Sequence, residues 1–488
     1  MKFEDFLKLL YEIISIILTL LWELAKFLYS LITGWKPEPP EPELNNQYQA
    51  ALAPVKEVLS QDGDGFCLGG KYCTSAHTAL QGGIAIGGSG YGKTSCVLQP
   101  TLYNMVDHSV IIHDSSLELA KNTLGFHHFH NFGIKILNYD KPQVSDGYNP
   151  ISRVRGITDA QKVSNLLIRN TLGSGNGSDN FWNLQASAFL TMLVLLVLKE
   201  QKQELRNLTN VKYLLDNYSS GSLDNLVAKS GDRFIIQEYK NFLSYDQKVI
   251  SSIVATCRSA LNLWNSPNIQ LLTSFDSIDF KAFRKQKTAL YIQNSTLSLP
   301  FYSVITSIFF EQFFAELMEE LPHEDDLHTY FLIDEFSSLY IPSIQLAVSN
   351  LRKFKANCFL VVQSEHQIKH VYGENQATAI LQNMYSRVYF PGQDMQTCQS
   401  ISSRLGKREV EIEDEETGKK TKRIRELLTP QEVYELGQNR ALVFVGTKAI
   451  YTNMYPFYEN KKLKQYSQLP APEITSKLPW QTVPLITL

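Results

Sequence analysis

Gly87-Gly88-Ser89-Gly90-Tyr91-Gly92-Lys93-Thr94 is the stretch that decides the fold. It follows the apolar run Ile84-Ala85-Ile86 and leads into residues that read as a helix over about 93–103. The pattern G-x-x-x-x-G-K-[ST] between a strand and a helix describes a loop built to hold phosphates. Its glycines let backbone N–H groups turn inward around phosphate oxygens, and the N-terminus of the helix favours negative charge. The expected nucleotide-binding residues are Gly87, Gly88, Ser89, Gly90, Tyr91, Gly92, Lys93, Thr94 and Ser95. Lys93 is placed to reach the outer phosphates of ATP, and the Thr94 hydroxyl to ligate Mg²⁺.

Working outward, the second half of such a site is expected far downstream. Tyr330-Phe331-Leu332-Ile333 reads as a short buried strand ending in Asp334-Glu335. An Asp delivered beside Thr94 holds the metal through water, and a Glu directly after it is placed to act as general base. The apolar run Cys358-Phe359-Leu360-Val361-Val362 ends in Gln363-Ser364, and an amide at that position can sense a γ-phosphate or position water. Arg352 and Lys353 end a helix expected to start near Ile341. Arg352 is a candidate arginine finger for the ATP of a neighbouring subunit; the alternative is a solvated helix end favoured by the dipole.

Strand signals at 109–114, 132–138, 288–294, 330–336, 358–364, 387–390 and 440–447 alternate with helical stretches. This predicts a mainly parallel sheet covered by helices on both faces. The stretch 158–274 breaks the alternation. It carries helical periodicities at 181–199 and 249–264 and little strand signal, and reads as an all-helical insertion interrupted by a Gly/Ser/Asn-rich loop at 173–180. The charge-dense segment 407–425 reads as a solvated hairpin. The expected organisation is a helix over 1–35, a Pro/Glu linker over 36–48, a nucleotide-binding domain in two parts (49–157 and 275–460) around the insertion, and an extended tail over 461–488.

The linker Lys36-Pro37-Glu38-Pro39-Pro40-Glu41-Pro42-Glu43 forms neither helix nor sheet interior and acts as a stiff spacer. Before it, an apolar run is punctuated by Lys8, Glu12, Ser15, Thr19, Glu23, Lys26 and Ser30, at intervals of three or four. That spacing places them in one stripe of a single long helix. A span of a bilayer takes ~20 residues. A membrane-associated helix is expected, its polar stripe facing a partner helix or the membrane surface, with Glu23 and Lys26 able to pair. Glu12, Glu23 and Lys26 argue against a cleaved signal peptide. With 44% hydrophobic and 19% charged residues over 488 positions, the chain is not largely disordered. Its net charge of -3 means that any basic surface is local. The six cysteines match no zinc pattern and read as reduced, buried thiols.

The ordered set of motifs resembles the TraG-like coupling proteins of type IV secretion. It runs from the phosphate loop and Gln99-Pro100-Thr101-Leu102 through Asp114 with Glu118-Leu119, Tyr148-Asn149-Pro150-Ile151 and Asn180-Phe181-Trp182. Leu332-Ile333-Asp334-Glu335-Phe336, Leu351-Arg352-Lys353, Gln363-Ser364 and Leu427-Leu428-Thr429-Pro430 complete it. The resemblance implies an α/β, RecA-like P-loop ATPase with a membrane anchor before it and an all-helical domain within it. It also implies a hexamer at the inner membrane with its ATPase body in the cytoplasm, using ATP and Mg²⁺, and DNA or a nucleoprotein and secretion-channel membrane proteins as partners. Two departures stand out. Ser115-Ser116-Leu117 replaces the family's usual Pro-Lys-Gly run, and one long helix stands where a two-helix membrane hairpin is common. The expected function is a membrane-tethered motor that couples ATP hydrolysis to substrate transfer into a secretion channel. The alternatives are a DNA translocase outside secretion and a nucleotide-gated recruitment scaffold.

Overall fold

The computed structural model describes residues 48–69, 71–172, 178–219, 221–413 and 420–487. The expected N-terminal helix, the linker up to residue 47 and the loop residues 173–177 lie outside the described residues. The strands are β1 (Gly83–Ile86), β2 (Ser109–Asp114), β3 (Gly133–Leu137), β4 (Thr288–Gln293), β5 (Thr329–Ile333), β6 (Ala356–Val362), β7 (Ser386–Tyr389), β8 (Lys407–Glu413), β9 (Lys420–Glu426), β10 (Arg440–Val445) and β11 (Lys448–Asn453).

Nine of them form one sheet in the order β11-β10-β7-β1-β6-β5-β2-β4-β3. From β7 to β3 every pairing is parallel, and β10 and β11 close one edge antiparallel. β1, β2, β5 and β6 are buried along their whole length, as strands covered on both faces must be. The period of two sorts their side chains onto two cores. Ala85, Val110, Ile112, Leu332, Phe359 and Val361 pack on one face, while Ile84, Ile86, Ile111, Ile333, Leu360 and Val362 face the other. The second core runs on into the helices that separate β3 from β4.

Those helices are Ile157–Leu172, Ser178–Leu198, Leu208–Asp216, Asp224–Ser230, Arg233–Leu243, Gln247–Ala260 and Pro267–Leu272. Asn207, Asp232 and Asp246 cap three of them by accepting backbone N–H bonds in the first turn. Phe189 stacks on Phe242 at 3.8 Å, and Trp264, fully buried, donates its indole N–H to Thr273. The helix from Ser178 starts inside the stretch expected as a loop. Its segment Phe181–Leu198 is apolar and long enough to cross a membrane, yet 56% of it is buried inside the protein, which is the character of a core helix.

Three local expectations differ from the structure. The helix after the phosphate loop opens as a widened turn over Thr94–Leu98 before becoming regular at Gln99–Asn104. Pro100 has no N–H for the carbonyl four residues back, and the Gln99 N–H reaches Thr94 O instead. The helix expected from Ile341 begins at Ile344, and Arg352 sits on the tighter turn Leu351–Phe354 that follows it. The reading of all six cysteines as reduced is corrected for one pair. Cys67 and Cys73 oppose each other across an antiparallel bridge and are joined as a disulfide. The backbone folds back there, Ser60 and Cys73 exchanging hydrogen bonds of 2.9 and 2.7 Å, and a spacing of six carries no signal of that path. Cys96, Cys257, Cys358 and Cys398 are buried free thiols.

The segment expected as a hairpin is the two-stranded ribbon β8-β9. Its described residues belong to a small unit of their own, with a Gln49–Arg408 bridge and a Lys422–Glu409 ion pair at 2.7 Å. The tail begins with a short helix, Lys461–Tyr466, and then runs extended over the main unit. Lys477 pairs with Asp146 at 2.8 Å, Trp480 donates to Ser274, and Ile486, 4% exposed, bonds Asn210 on the insertion.

Candidate nucleotide site

The site is built where β1, β6, β5 and β2 end side by side. The loop leaves β1 along β6, with the Gly87 N–H on Val362 O at 3.2 Å. Gly90 (φ +85°) and Gly92 (φ +86°) both take left-handed backbone, which the inward turn of the loop requires and which a side chain would strain. Lys93 folds its ammonium onto the loop, donating to Gly87 O at 2.6 Å and Gly88 O at 2.8 Å. Burial lowers the Lys93 pKa, and the carboxylates of Asp334 and Glu335 oppose that shift. Thr94 and Ser95 begin the following helix, Ser95 donating to Gly92 O at 3.4 Å.

Asp334 leaves β5 beside the end of β2. Its N–H bonds His113 O at 3.3 Å, and its carbonyl accepts from His113 Nδ1 at 2.7 Å. Its carboxylate accepts a 2.9 Å bond from the Ser115 hydroxyl. Burial pushes the Asp334 pKa up to about 6; Glu335 and Asp114 add to the rise, and Ser115 and Lys93 oppose it. Carboxyls gathered around one ammonium, with the Thr94 hydroxyl at the same loop, make an oxygen donor set that suits a hard divalent cation. Thr94 and Asp334 are the residues that would hold Mg²⁺, which when bound neutralises charge on phosphate oxygens.

Glu335 takes the left-handed conformation, φ +53°, an uncommon one for a non-glycine residue. Its carboxylate accepts from Gln363 Nε2 at 3.3 Å to each oxygen and from the Ser337 hydroxyl at 3.3 Å. Gln367 Oε1 receives both the Ser337 hydroxyl, at 3.1 Å, and the Gln363 N–H, at 3.3 Å. Lys93, Asp334, Glu335 and Gln363 are thus brought together. Arg352 is not. It precedes β6, at the opposite end of that strand from Gln363, and bonds His77 Nε2 at 3.0 Å.

Several residues of this arrangement gave no sequence signal. Ser115 and Ser337 are polar residues that follow strands, and Gln367 lies in the first turn of the helix Glu365–Tyr372; such residues are common in any α/β protein, and only the fold gives them these partners. The motif residues Asp114 and Glu118 have different places. Asp114 is buried and accepts the N–H groups of Leu119 at 3.3 Å and Ala120 at 2.8 Å, capping the helix Glu118–Phe129. Glu118 is exposed at that helix's first position.

Residues 44–479 match the family model described as "Type IV secretory system Conjugative DNA transfer". Protein VirD4 of Rhizobium radiobacter is 24% identical over 260 residues, 48% of this chain and 37% of that protein. VirD4 of Agrobacterium fabrum is 24% identical over 185 residues, 37% of this chain and 28% of its own length. The chain therefore spans about a third of the curated relatives it matches. Among solved structures, the plasmid coupling protein TrwB in complex with ADP and Mg²⁺ superposes with a TM-score of 0.66 at 16% identity, covering 92% of this chain and 99% of that one. VirB4 of Thermoanaerobacter pseudethanolicus gives 0.51 at 11% identity, over 80% and 96%. These likenesses carry the fold, a RecA-like sheet with a helical insertion. The match to the family model over most of the chain carries the assignment: the protein belongs to the type IV secretory system conjugative DNA transfer family.

Proposed function

We propose that this chain is an ATP-driven motor that couples a DNA or nucleoprotein substrate to a type IV secretion channel. The observation that carries the reading is the convergence of Lys93, Asp334, Glu335 and Gln363 on one loop, in a member of that family. Lys93 exchanges the carbonyls of Gly87 and Gly88 for phosphate oxygens when ATP enters. Glu335 takes the proton of the attacking water, and Gln363 orients its carboxylate. Thr94 and Asp334 would hold Mg²⁺, which would supply positive charge against the phosphate oxygens.

The working unit in this reading is a ring, a hexamer as the family resemblance implies, with a second copy's Arg352 reaching the ATP. Its support is that Arg352 lies at the far end of β6 from its own phosphate loop, where it serves no phosphate of its own subunit. Residues 1–35 tether the motor to the inner membrane, leaving the ATPase body in the cytoplasm and meeting channel subunits there. The support is their apolar run with one polar stripe. The deciding experiment is the ATPase rate of the full chain with and without single- and double-stranded DNA, alongside a mass measurement. Stimulation by DNA in a ring-sized particle is expected. Hydrolysis that ignores DNA in an assembled ring sinks the motor reading. Full-length protein found wholly in the soluble fraction of its native cell sinks the tether.

A further inference from the structure

Asp334 has a single side-chain hydrogen-bond donor among the described residues, and it comes from outside its own strand. Ser115 follows β2 and is buried, 7% exposed, as is Asp334. Its hydroxyl donates to Asp334 Oδ2 at 2.9 Å. The backbone that carries this hydroxyl is held from two sides. Upstream, Asp114 is committed to the N–H groups of Leu119 and Ala120. Across the turn, the Thr296 hydroxyl, in the loop after β4, donates to Ser115 O at 3.1 Å. Between these anchors Leu117 is forced to φ +62°, left-handed backbone that a leucine rarely adopts. A strained turn kept in place by bonds on both flanks is a turn whose position matters.

We propose that Ser115 is a positioning residue for the metal ligand Asp334, with Thr296 locking the turn that presents it. The inference rests on the nucleotide reading above and deepens it. A carboxylate has two oxygens, and a donor on Oδ2 fixes the plane of the group. Oδ1 is then the oxygen directed to a cation, and the carboxylate does not have to be reoriented when one binds. Backbone bonds to His113 fix where Asp334 starts; Ser115 fixes where its charge points.

The test uses the full-length protein, ADP as nucleotide and Mn²⁺ as the probe cation, with free Mn²⁺ followed by electron paramagnetic resonance. Ser115→Ala is expected to weaken Mn²⁺ binding to the ADP-bound protein by about tenfold, the scale of one hydrogen bond to a charged group. Metal-free ADP affinity, measured in EDTA, stays within about twofold because the Ser115 hydroxyl is committed to Asp334 and not to the phosphate loop. Ser115→Thr, which keeps the hydroxyl, retains wild-type Mn²⁺ affinity. Thr296→Val, which keeps shape and loses the bond, weakens it about threefold. Wild-type Mn²⁺ affinity in a folded Ser115→Ala protein overturns the proposal, as does an equal loss in Ser115→Ala and Ser115→Thr. If Ser115→Ala does not fold, Thr296→Val decides, and unchanged affinity there overturns it. Wild-type protein that binds no ADP at all overturns the nucleotide reading itself.

Discussion

Strand β6 has two ends with opposite fates. At its carboxyl end Gln363 joins a closed set of bonds with Glu335, Ser337 and Gln367, beside Lys93 and Asp334. At its amino end Arg352 reaches outward to His77, with the buried Asn357 anchoring the strand on Leu80 O at 2.6 Å. Seven residues at ~3.3 Å each put the two ends roughly 20 Å apart, so a single side chain cannot bridge them. At one end Lys93, Asp334, Glu335 and Gln363 gather within the subunit, whereas at the other Arg352 lies beyond reach of that subunit's own phosphate loop. The difference teaches that one edge of the sheet gathers the candidate nucleotide site, while the opposite edge carries a cation outside it.

The largest effect tests the carboxyl end. Lys93→Ala is expected to abolish hydrolysis and to weaken nucleotide binding, read by phosphate release and by a fluorescent ATP analogue. Turnover near wild type would break the assignment of the pocket. The next effect tests the other end. Arg352→Ala is expected to keep ATP binding while turnover of the assembled ring falls by about 10³–10⁵, the range for a finger supplied in trans. Mixtures of Arg352→Ala and Lys93→Ala subunits should regain some activity, because some interfaces then hold both groups. Uniformly dead mixtures, with assembly confirmed, would erase the distinction between the two ends.

A smaller loss is expected within the pocket itself. Glu335→Gln should lower turnover by about 10²–10⁴ and leave ATP bound, which rapid filtration can count. Prompt conversion to ADP in this variant would remove Glu335 as the base. The smallest effect concerns histidines at the two ends of the sheet. Burial lowers the pKa of His113, at the carboxyl end of β2, to about 4, and that of His328, before β5, also to about 4. In the unfolded chain each takes a proton near pH 6.5, but in the folded protein only near pH 4. The unfolded state then binds more protons between those values, so stability present above about pH 6.5 is lost as the pH falls towards 4. The melting temperature should drop over that window, and His328→Gln should flatten the drop modestly. A slope identical to wild type would show that His328 does not contribute.

Much of the architecture was legible in the amino-acid order because it rests on local rules. Short apolar runs ending in polar residues marked β1, β2, β5 and β6, and a strand buried on both faces leaves little else for such a run to be. The helical stretch between β3 and β4 showed its period of 3.6 in the same way. Glycine, lysine and threonine in the phosphate loop were legible because their chemistry depends on their spacing within one turn of chain. Other features depended on distant segments meeting. Ser115 gains its partner from a residue 219 positions away, and Gln367 gains its place from a helix packed against β6 and the turn after β5. The Cys67–Cys73 link depended on a fold-back that also bonds the Cys67 N–H to Thr101 and packs Phe66 on Tyr330 and Phe359.

What the sequence determined by itself was the identity of the groups: a lysine and a threonine in a glycine loop, an acidic pair after one strand and an amide after another. What only the tertiary structure decided was which of them share a pocket. The parallel order β1-β6-β5-β2 ends these strands at one edge and so unites Lys93, Gln363, Asp334 and Ser115, while the direction of β6 sends Arg352 to the other edge. The physical reason is that residue type and local period act over a few neighbouring positions, whereas strand order and direction follow from burying both faces of the sheet at once, a condition that no short stretch of chain contains.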